Sequence, residues 1–368
     1  MSEYQYYEFQ TVDRLLTTKE QAELKRLSSR AQVNASQAVF VYHYGDFRGD
    51  PESILTQYFD AMFYVANWGT WQLIFRFPRT AVDSQWFEPY EIPDFITVST
   101  SAKSLILNIN IHQEEYGGWA EGEGWLSRLI SLREELMTGD RRLLYLAWLR
   151  IAPTLTDHIE EDLIEPPVPP NLGQLSPALK AFIEWVELDP DWVDAAAQIS
   201  EQQKVKAKPN LDRYLTQLSN AEKDQFLLKL LHREPHVDLE LLSRLQELAG
   251  KPVSNLEGKP GLRGFSEIEA IAQQLKTQRQ QKQATIAKRK RTQYLKALVS
   301  KEEDLWRQIS ALIELKQARP YDEATILLKD LKDLAESQNS LPKFNKRFEA
   351  LKATYGNRPA LMKRFKTL

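Results

Sequence analysis

The stretch at residues 104–112, Ser-Leu-Ile-Leu-Asn-Ile-Asn-Ile-His, decides the fold class of the N-terminal part of the chain. Apolar residues at the odd positions from 105 alternate with Ile106 and with polar residues at the even positions. A period of two predicts a β-strand with one buried face and one mostly solvated face. Residues 95–100 precede it at hairpin distance, so we expect the two to pair.

Outward from this strand, short β-like runs alternate with short helices. Four further runs predict strands, at residues 4–9, 38–43, 61–66 and 71–77. Thr17 and Glu20 have the spacing of a capping box, and Pro51 suits the first turn of a second helix. Together with helices expected at 125–137 and 140–151, the pattern predicts an α+β domain over residues 1–155.

A change of composition marks the end of that domain. Residues 156–175 are acidic and then carry four prolines between 166 and 170, which predicts an extended linker. Apolar residues with helical spacing dominate residues 176–263, so we expect a helical domain there.

The last part, residues 264–368, is predicted to be a long basic helix followed by shorter ones. Ser266 and Glu269 have capping-box spacing, and the helix can extend to about residue 318. Between Leu275 and Tyr294 its only apolar residues are Ala284, Ile286 and Ala287. A helix this polar bridges between packed ends or is solvated. The predicted fold class is therefore an α+β N-terminal domain followed by an all-α region with a long basic helix.

The distribution of charge divides the chain into an acidic part and a basic part. Residues 265–368 contain 22 Lys and Arg against 12 Asp and Glu, a net charge of +10. The residues upstream carry a net charge of −13. Such asymmetry is typical of chains that bind nucleic acid, an anionic surface or their own acidic half.

Several classes of protein are disfavoured by what the sequence lacks. There is no cysteine, which rules out disulfides, thiolate metal sites and cysteine nucleophiles within this chain. The N-terminus does not resemble a signal peptide, and no apolar run has the length of a membrane span. We therefore expect a cytoplasmic protein with no membrane association and no cofactor.

The strongest functional signal is a run of cations in the basic helix. Candidate ligands for phosphates or other anions are Lys282, Lys288, Arg289, Lys290 and Arg291. Such side chains neutralise phosphates and release counterions, which gives salt-dependent binding without sequence preference. Two other interpretations explain the same charges: a solvated helix that only sets a distance, or a helix that docks on the chain's own acidic segment at 157–165.

A second candidate is the glycine-rich acidic loop at residues 113–125. Its potential binding residues are Trp119, Glu121, Glu123 and Trp125. Carboxylates a few residues apart serve in acid–base catalysis or cation binding, but the spacing is not that of an EF-hand. The alternative is a surface loop whose tryptophans cover the edge of the sheet.

No motif identifies a catalytic or metal site. His232 and His236 are four residues apart, but Pro235 breaks the helix that a zinc-protease motif needs. The chain also has no glycine-rich phosphate loop and no nucleophile elbow. We therefore predict no catalytic residue and no metal ligand.

Several motifs resemble a family of uncharacterised bacterial proteins. They lie at residues 58–61, 64–70, 139–149, 165–176 and 321–331, so the resemblance covers most of the chain. It brings no established activity and hence no catalytic residue. It implies an association with SWIM zinc-finger proteins, whose C-terminal helices look like residues 296–368. Without cysteine this chain cannot form that finger, so the implied role is that of an accessory protein.

The leading functional hypothesis is a non-enzymatic interaction or adaptor protein. Its helical arm would bind a protein partner, the phosphates of a nucleic acid, or both. The rival is an enzyme with an unrecognised site in the N-terminal domain near the loop at 113–125. A pocket there with converging Glu and His side chains would favour the rival.

Overall fold

The chain forms two compact units, residues 1–275 and 276–368. The computed structural model describes residues 4–112, 122–156, 162–202, 212–232, 237–248 and 261–366. The division between the units falls inside the long basic helix. It therefore differs from the boundaries that composition predicted at residues 155, 175 and 263.

A seven-stranded antiparallel sheet is the framework of the first unit. Its strands are β1 (Gln5–Gln10), β2 (Gln32–Val33), β3 (Gln37–Tyr42), β4 (Ala61–Ala66), β5 (Thr70–Pro78), β6 (Ile96–Thr100) and β7 (Ser104–His112). Their order across the sheet is β2-β3-β1-β4-β5-β7-β6. The predicted hairpin of β6 and β7 is confirmed, with Val98 opposite Leu107. Only the two-residue β2 was not predicted.

Several helices of the first unit begin at local sequence signals. They are α1 (Thr18–Lys25), α2 (Pro51–Tyr58), α3 (Trp125–Leu129), α4 (Ser131–Met137), α5 (Arg142–Thr156), α6 (Pro177–Trp185), α7 (Pro190–Ala197), α8 (Asn220–Leu231) and α9 (Val237–Leu248). Thr17 and Glu20 make both bonds of the predicted capping box. Gly139 has a φ of 88°, the left-handed conformation that ends α4.

Both faces of the sheet are buried. The larger core contains Phe63, Phe75 and Leu107 together with apolar residues of α3 to α7. The smaller core lies on the other face, where Phe9 and Phe40 share a cluster with residues of α1 and α2. Leu105, Leu107, Ile109 and Ile111 all belong to the larger core, as the period of two predicts.

Residues 162–175, predicted to be an extended linker between domains, are instead packed into the larger core. Val168 and Leu172 are buried, and the Tyr90 hydroxyl donates to the Pro167 carbonyl at 2.6 Å. Proline has no backbone N–H, so a proline-rich segment can be buried without finding a partner for that donor. Residues 157–161 of the predicted linker lie outside the described residues.

The same segment holds the start of the long helix, α10 (Phe265–Leu298). The Asp162 carboxylate accepts from the Ser266 backbone N–H at 3.1 Å and from its hydroxyl at 2.6 Å. This distant carboxylate replaces the local capping box predicted for Ser266 and Glu269. A Cβ atom at Gly264 would lie 1.8 Å from the Asp162 Oδ2 atom, so a larger residue there would displace the capping carboxylate.

The second unit is a helical bundle. After a short 3₁₀ turn at Val299–Lys301 come α11 (Glu302–Glu314), α12 (Ala318–Ser337), α13 (Leu341–Tyr355) and α14 (Pro359–Phe365). Their bundle core contains Ile309, Leu328 and Leu361, which are fully buried. The structure thus confirms an α+β part followed by an all-helical region. Among the described helices, none combines the length and apolar character that crossing a bilayer requires.

Candidate nucleic-acid interface

The middle of α10 is exposed on every side. Each residue from 277 to 290 is exposed, whereas Ile268 and Leu298 near the two ends are buried in the larger core and the bundle core. The stretch is rich in Gln, Lys, Arg and Ala and has no Gly or Pro, so it is helical by intrinsic propensity. The cations in it are therefore accessible around the helix.

Arg291 differs from the other four predicted ligands, because it is bound within the second unit. Its guanidinium pairs with the carboxylates of Asp330 and Asp333 on α12, both at 2.6 Å. Tyr294 donates its hydroxyl to Asp330 at 2.8 Å, and that hydrogen bond, with burial, raises the pKa of Tyr294. Arg291 thus anchors α10 to α12 and is not available to an external anion without breaking these contacts.

Two rows of side chains lie on opposite sides of the exposed helix. The front row consists of Lys282, Ile286, Arg289 and Gln293. The back row consists of Gln280, Ala284, Ala287 and Arg291. Each back-row residue is two positions before a front-row residue, which corresponds to about 200° of rotation. Because Arg291 contacts α12, the front row points away from that helix.

The second unit has a large surplus of positive charge. Residues 276–368 contain 22 basic and 10 acidic residues, a net charge of +12. Nine of the ten carboxylates already form ion pairs, as in Arg358–Glu314 and Lys343–Glu302. In the parts of the chain that the structure describes, no carboxylate pairs with Lys282, Lys288, Arg289 or Lys290.

The acidic segment at 157–165 is one suggested internal partner of the basic helix. Its described carboxylates bind other residues. Asp162 binds Ser266, and Glu165 is paired with Arg263 through two bonds of 2.9 Å. The other acidic residues of the segment, at 157, 160 and 161, lie outside the described residues. The two described carboxylates are therefore not the counter-charge of the exposed cations.

The glycine-rich loop is only partly described. Trp119 and Glu121 lie outside the described residues, and Glu123 is exposed. Trp125 begins α3 and carries the Arg128 guanidinium 4.5 Å from its ring centroid. A Cβ atom at Gly122 would lie 2.2 Å from the Tyr6 ring, so the described end of the loop packs against β1. Trp125 itself is partly buried and packs against the larger core.

No metal site emerges from the residues that the structure describes. His43, His112 and His232 are exposed, while His158 and His236 are not described. Among the described residues, no three His, Asp or Glu side chains are grouped so that they could hold a metal ion. A cavity of about 10 Å³ between Trp306, Ser340 and Phe344 has room for roughly one water molecule, which is too small for a substrate.

Sequence reasoning missed a cluster of buried charges beneath the sheet. Arg133 on α4 is 1% exposed and binds both carboxylate oxygens of Asp13, at 2.9 and 2.6 Å. Asp60 is equally buried and binds Arg76 and the backbone N–H groups of Val12 and Asp13. All four charges find partners, which is typical of a structural cluster. No local sequence pattern predicts this cluster, because its members are far apart in sequence.

A second buried cluster joins four segments of the first unit. Glu165 accepts from Arg263 and also from the Tyr145 hydroxyl at 2.8 Å, while Arg263 donates to the Ala195 carbonyl at 3.1 Å. Burial, together with the nearby Glu165 carboxylate, raises the pKa of Tyr145, so this phenol remains a hydrogen-bond donor. In both clusters the charged side chains are paired with one another, so neither cluster resembles a catalytic site.

Comparisons with models of known protein families, with curated proteins and with solved structures found no match. What the chain does must therefore be inferred from its own geometry.

Proposed function

We propose that the chain is a non-enzymatic interaction protein whose basic helix α10 binds the phosphates of a nucleic acid. The observation that carries the proposal is the exposed set Lys282, Lys288, Arg289 and Lys290, for which the described residues provide no carboxylate partner. Lys282 and Arg289 belong to the front row, which points away from α12.

The physical reason is the competition between internal and external counter-charges. In the second unit nearly every carboxylate is already paired, so Lys282, Lys288, Arg289 and Lys290 retain only a mobile counterion atmosphere. A phosphate backbone replaces that atmosphere and releases the ions, which favours binding at low salt. We expect affinity to fall steeply with salt and to depend little on base sequence.

A charge-reversal variant tests the proposal. Lys282→Glu, Arg289→Glu and Lys290→Glu together are expected to weaken binding of fluorescently labelled DNA or RNA. The salt slope should also fall by about one unit for each phosphate that the variant no longer neutralises. Fluorescence anisotropy over a KCl series measures both quantities on the full chain.

The matched control reverses three other lysines of the same unit. Lys329, Lys346 and Lys363 are exposed, and changing them to Glu alters the net charge by the same amount. The control variant is expected to keep most of the affinity. Equal loss in both variants would show that only net charge matters, and a wild-type chain that binds no nucleic acid would refute the proposal.

A protein partner is part of the same proposal. The charge split, the exposed helix and the resemblance to proteins associated with SWIM zinc-finger proteins all support an accessory role in the cytoplasm. Tagged full-length chain, purified from a native lysate with nuclease treatment, is expected to retain a zinc-finger partner. Recovery of the chain alone in that experiment would remove the partner from the proposal but leave the phosphate-binding helix.

A further inference from the structure

We infer that the ligand of α10 is B-form duplex DNA and that the helix enters its major groove. The inference rests on the proposed function and names the class of nucleic acid. It is carried by the exposure of residues 277–290 around the whole helix and by the distribution of cations over that surface.

The exposed stretch has suitable dimensions. Its fourteen residues extend about 21 Å, and a helix with its side chains is about 10–12 Å wide. The major groove of B-DNA is about 12 Å wide and admits one α-helix. All fourteen residues are exposed.

The cations point in several directions around the helix, so a flat anionic surface could not contact all of them. Lys288, Arg289 and Lys290 are consecutive, so their side chains spread over about 200° of the helix circumference. A flat anionic surface contacts only one side of a helix. The two walls of a groove carry phosphates on both flanks, so Lys288 and Lys290 would face opposite strands while Arg289 points to the groove floor.

The front row carries side chains that can contact base edges in a groove, whereas most of the back row does not. The front row offers Lys282 and Arg289, which match guanine acceptors, and Gln293, which matches adenine. Between them Ile286 is 54% exposed, and an exposed apolar side chain can contact the methyl group of thymine. Before Arg291, the back row has Gln280, Ala284 and Ala287, which are uncharged. The base-contacting groups are thus on the side away from α12.

The first test compares duplexes of one sequence. Full-length protein is expected to bind short duplex DNA about tenfold more tightly than duplex RNA, because the A-form major groove is too deep and narrow for a helix. Equal binding of both duplexes, or tighter binding of a single strand, would overturn the inference and leave the proposed function standing. Binding of none of them would refute the proposed function itself.

The second test uses the absence of native cysteine. Ile286→Cys and Ala287→Cys each create one thiol, in the front row and the back row respectively. Modification with a bulky maleimide is expected to reduce affinity for duplex DNA about tenfold at position 286 and little at position 287. Helicity of the labelled chains, measured by circular dichroism, controls for unfolding. Equal losses at the two positions would contradict insertion of the front row.

Discussion

Arg133→Met is expected to lower the free energy of unfolding of the first unit by about 3–5 kcal/mol. Methionine fills similar space but leaves Asp13 and Asp60 without the cation that lies between them. The Arg76 carbonyl also loses its 2.8 Å bond from the Arg133 Nε atom. The cost is large because the Asp13 carboxylate loses both of its bonds from Arg133 in a largely dry environment, whereas Asp60 keeps Arg76.

Urea unfolding followed by tryptophan fluorescence measures this change, since eight of the nine tryptophans precede residue 276. Arg128→Met is the matched control. Arg128 is also paired with a carboxylate, that of Glu184, but its side chain is 46% exposed, so we expect a loss below about 1 kcal/mol. Adding Asp13→Asn to Arg133→Met should recover part of the loss. Equal effects of the two arginine changes would contradict the role assigned to burial.

The same cluster predicts a dependence on pH. Burial alone raises the pKa of Asp60, but Arg133, Arg76 and two backbone N–H groups outweigh it and hold the pKa below its ordinary value. A carboxylate of this kind stabilises the fold above its unfolded pKa of about 3.9 and loses that contribution as the pH falls through the folded value. The advantage of wild type over Asp60→Asn should therefore shrink below about pH 4. An advantage independent of pH would contradict the assignment.

Arg263→Met is the second change with a large expected effect, again about 3–5 kcal/mol on the free energy of unfolding. Arg263 is 6% exposed and is the only cation paired with Glu165 among the described residues. Without it the buried carboxylate keeps only the Tyr145 hydroxyl and the protein loses the bond to the Ala195 carbonyl. The residues involved connect α5, the proline-rich segment and the entry to α10.

A graded pair of variants checks this explanation. Tyr145→Phe keeps the ion pair and removes one hydrogen bond, so its cost should be about 1–3 kcal/mol. Glu165→Gln combined with Arg263→Met removes both charges and should be less destabilising than Arg263→Met alone. Hydrogen exchange of the amides at 263–268 provides a local readout, because the Asp162 cap lies beside the pair. If the Arg263→Met variant has the same free energy of unfolding as wild type, Glu165 is not a buried carboxylate that depends on Arg263 for its charge.

Local patterns predicted much of the first unit because they depend only on neighbours in sequence. The alternation at 104–112 identified β7, the Thr17–Glu20 capping box identified the start of α1, and Gly139 identified the end of α4. The helical conformation of the basic stretch was also predicted, because a polar helix without Gly or Pro needs no tertiary contact to form.

Tertiary structure decided what depends on residues far apart. Composition placed an extended linker at 156–175, yet Val168 and Leu172 are buried, and Asp162 caps a helix 104 residues later. Arg291 looked equivalent to Arg289 in the sequence, but only Arg291 has Asp330 and Asp333 opposite it.

The sequence by itself therefore determined six of the seven strands, the capping box of α1 and the position of the basic helix, since these follow from periodicity, propensity and charge. Which charges are buried in pairs and which remain accessible was decided only by the fold. The free energy of a charged side chain depends on its solvation and on the partner that packing brings to it, and neither is encoded by adjacent residues.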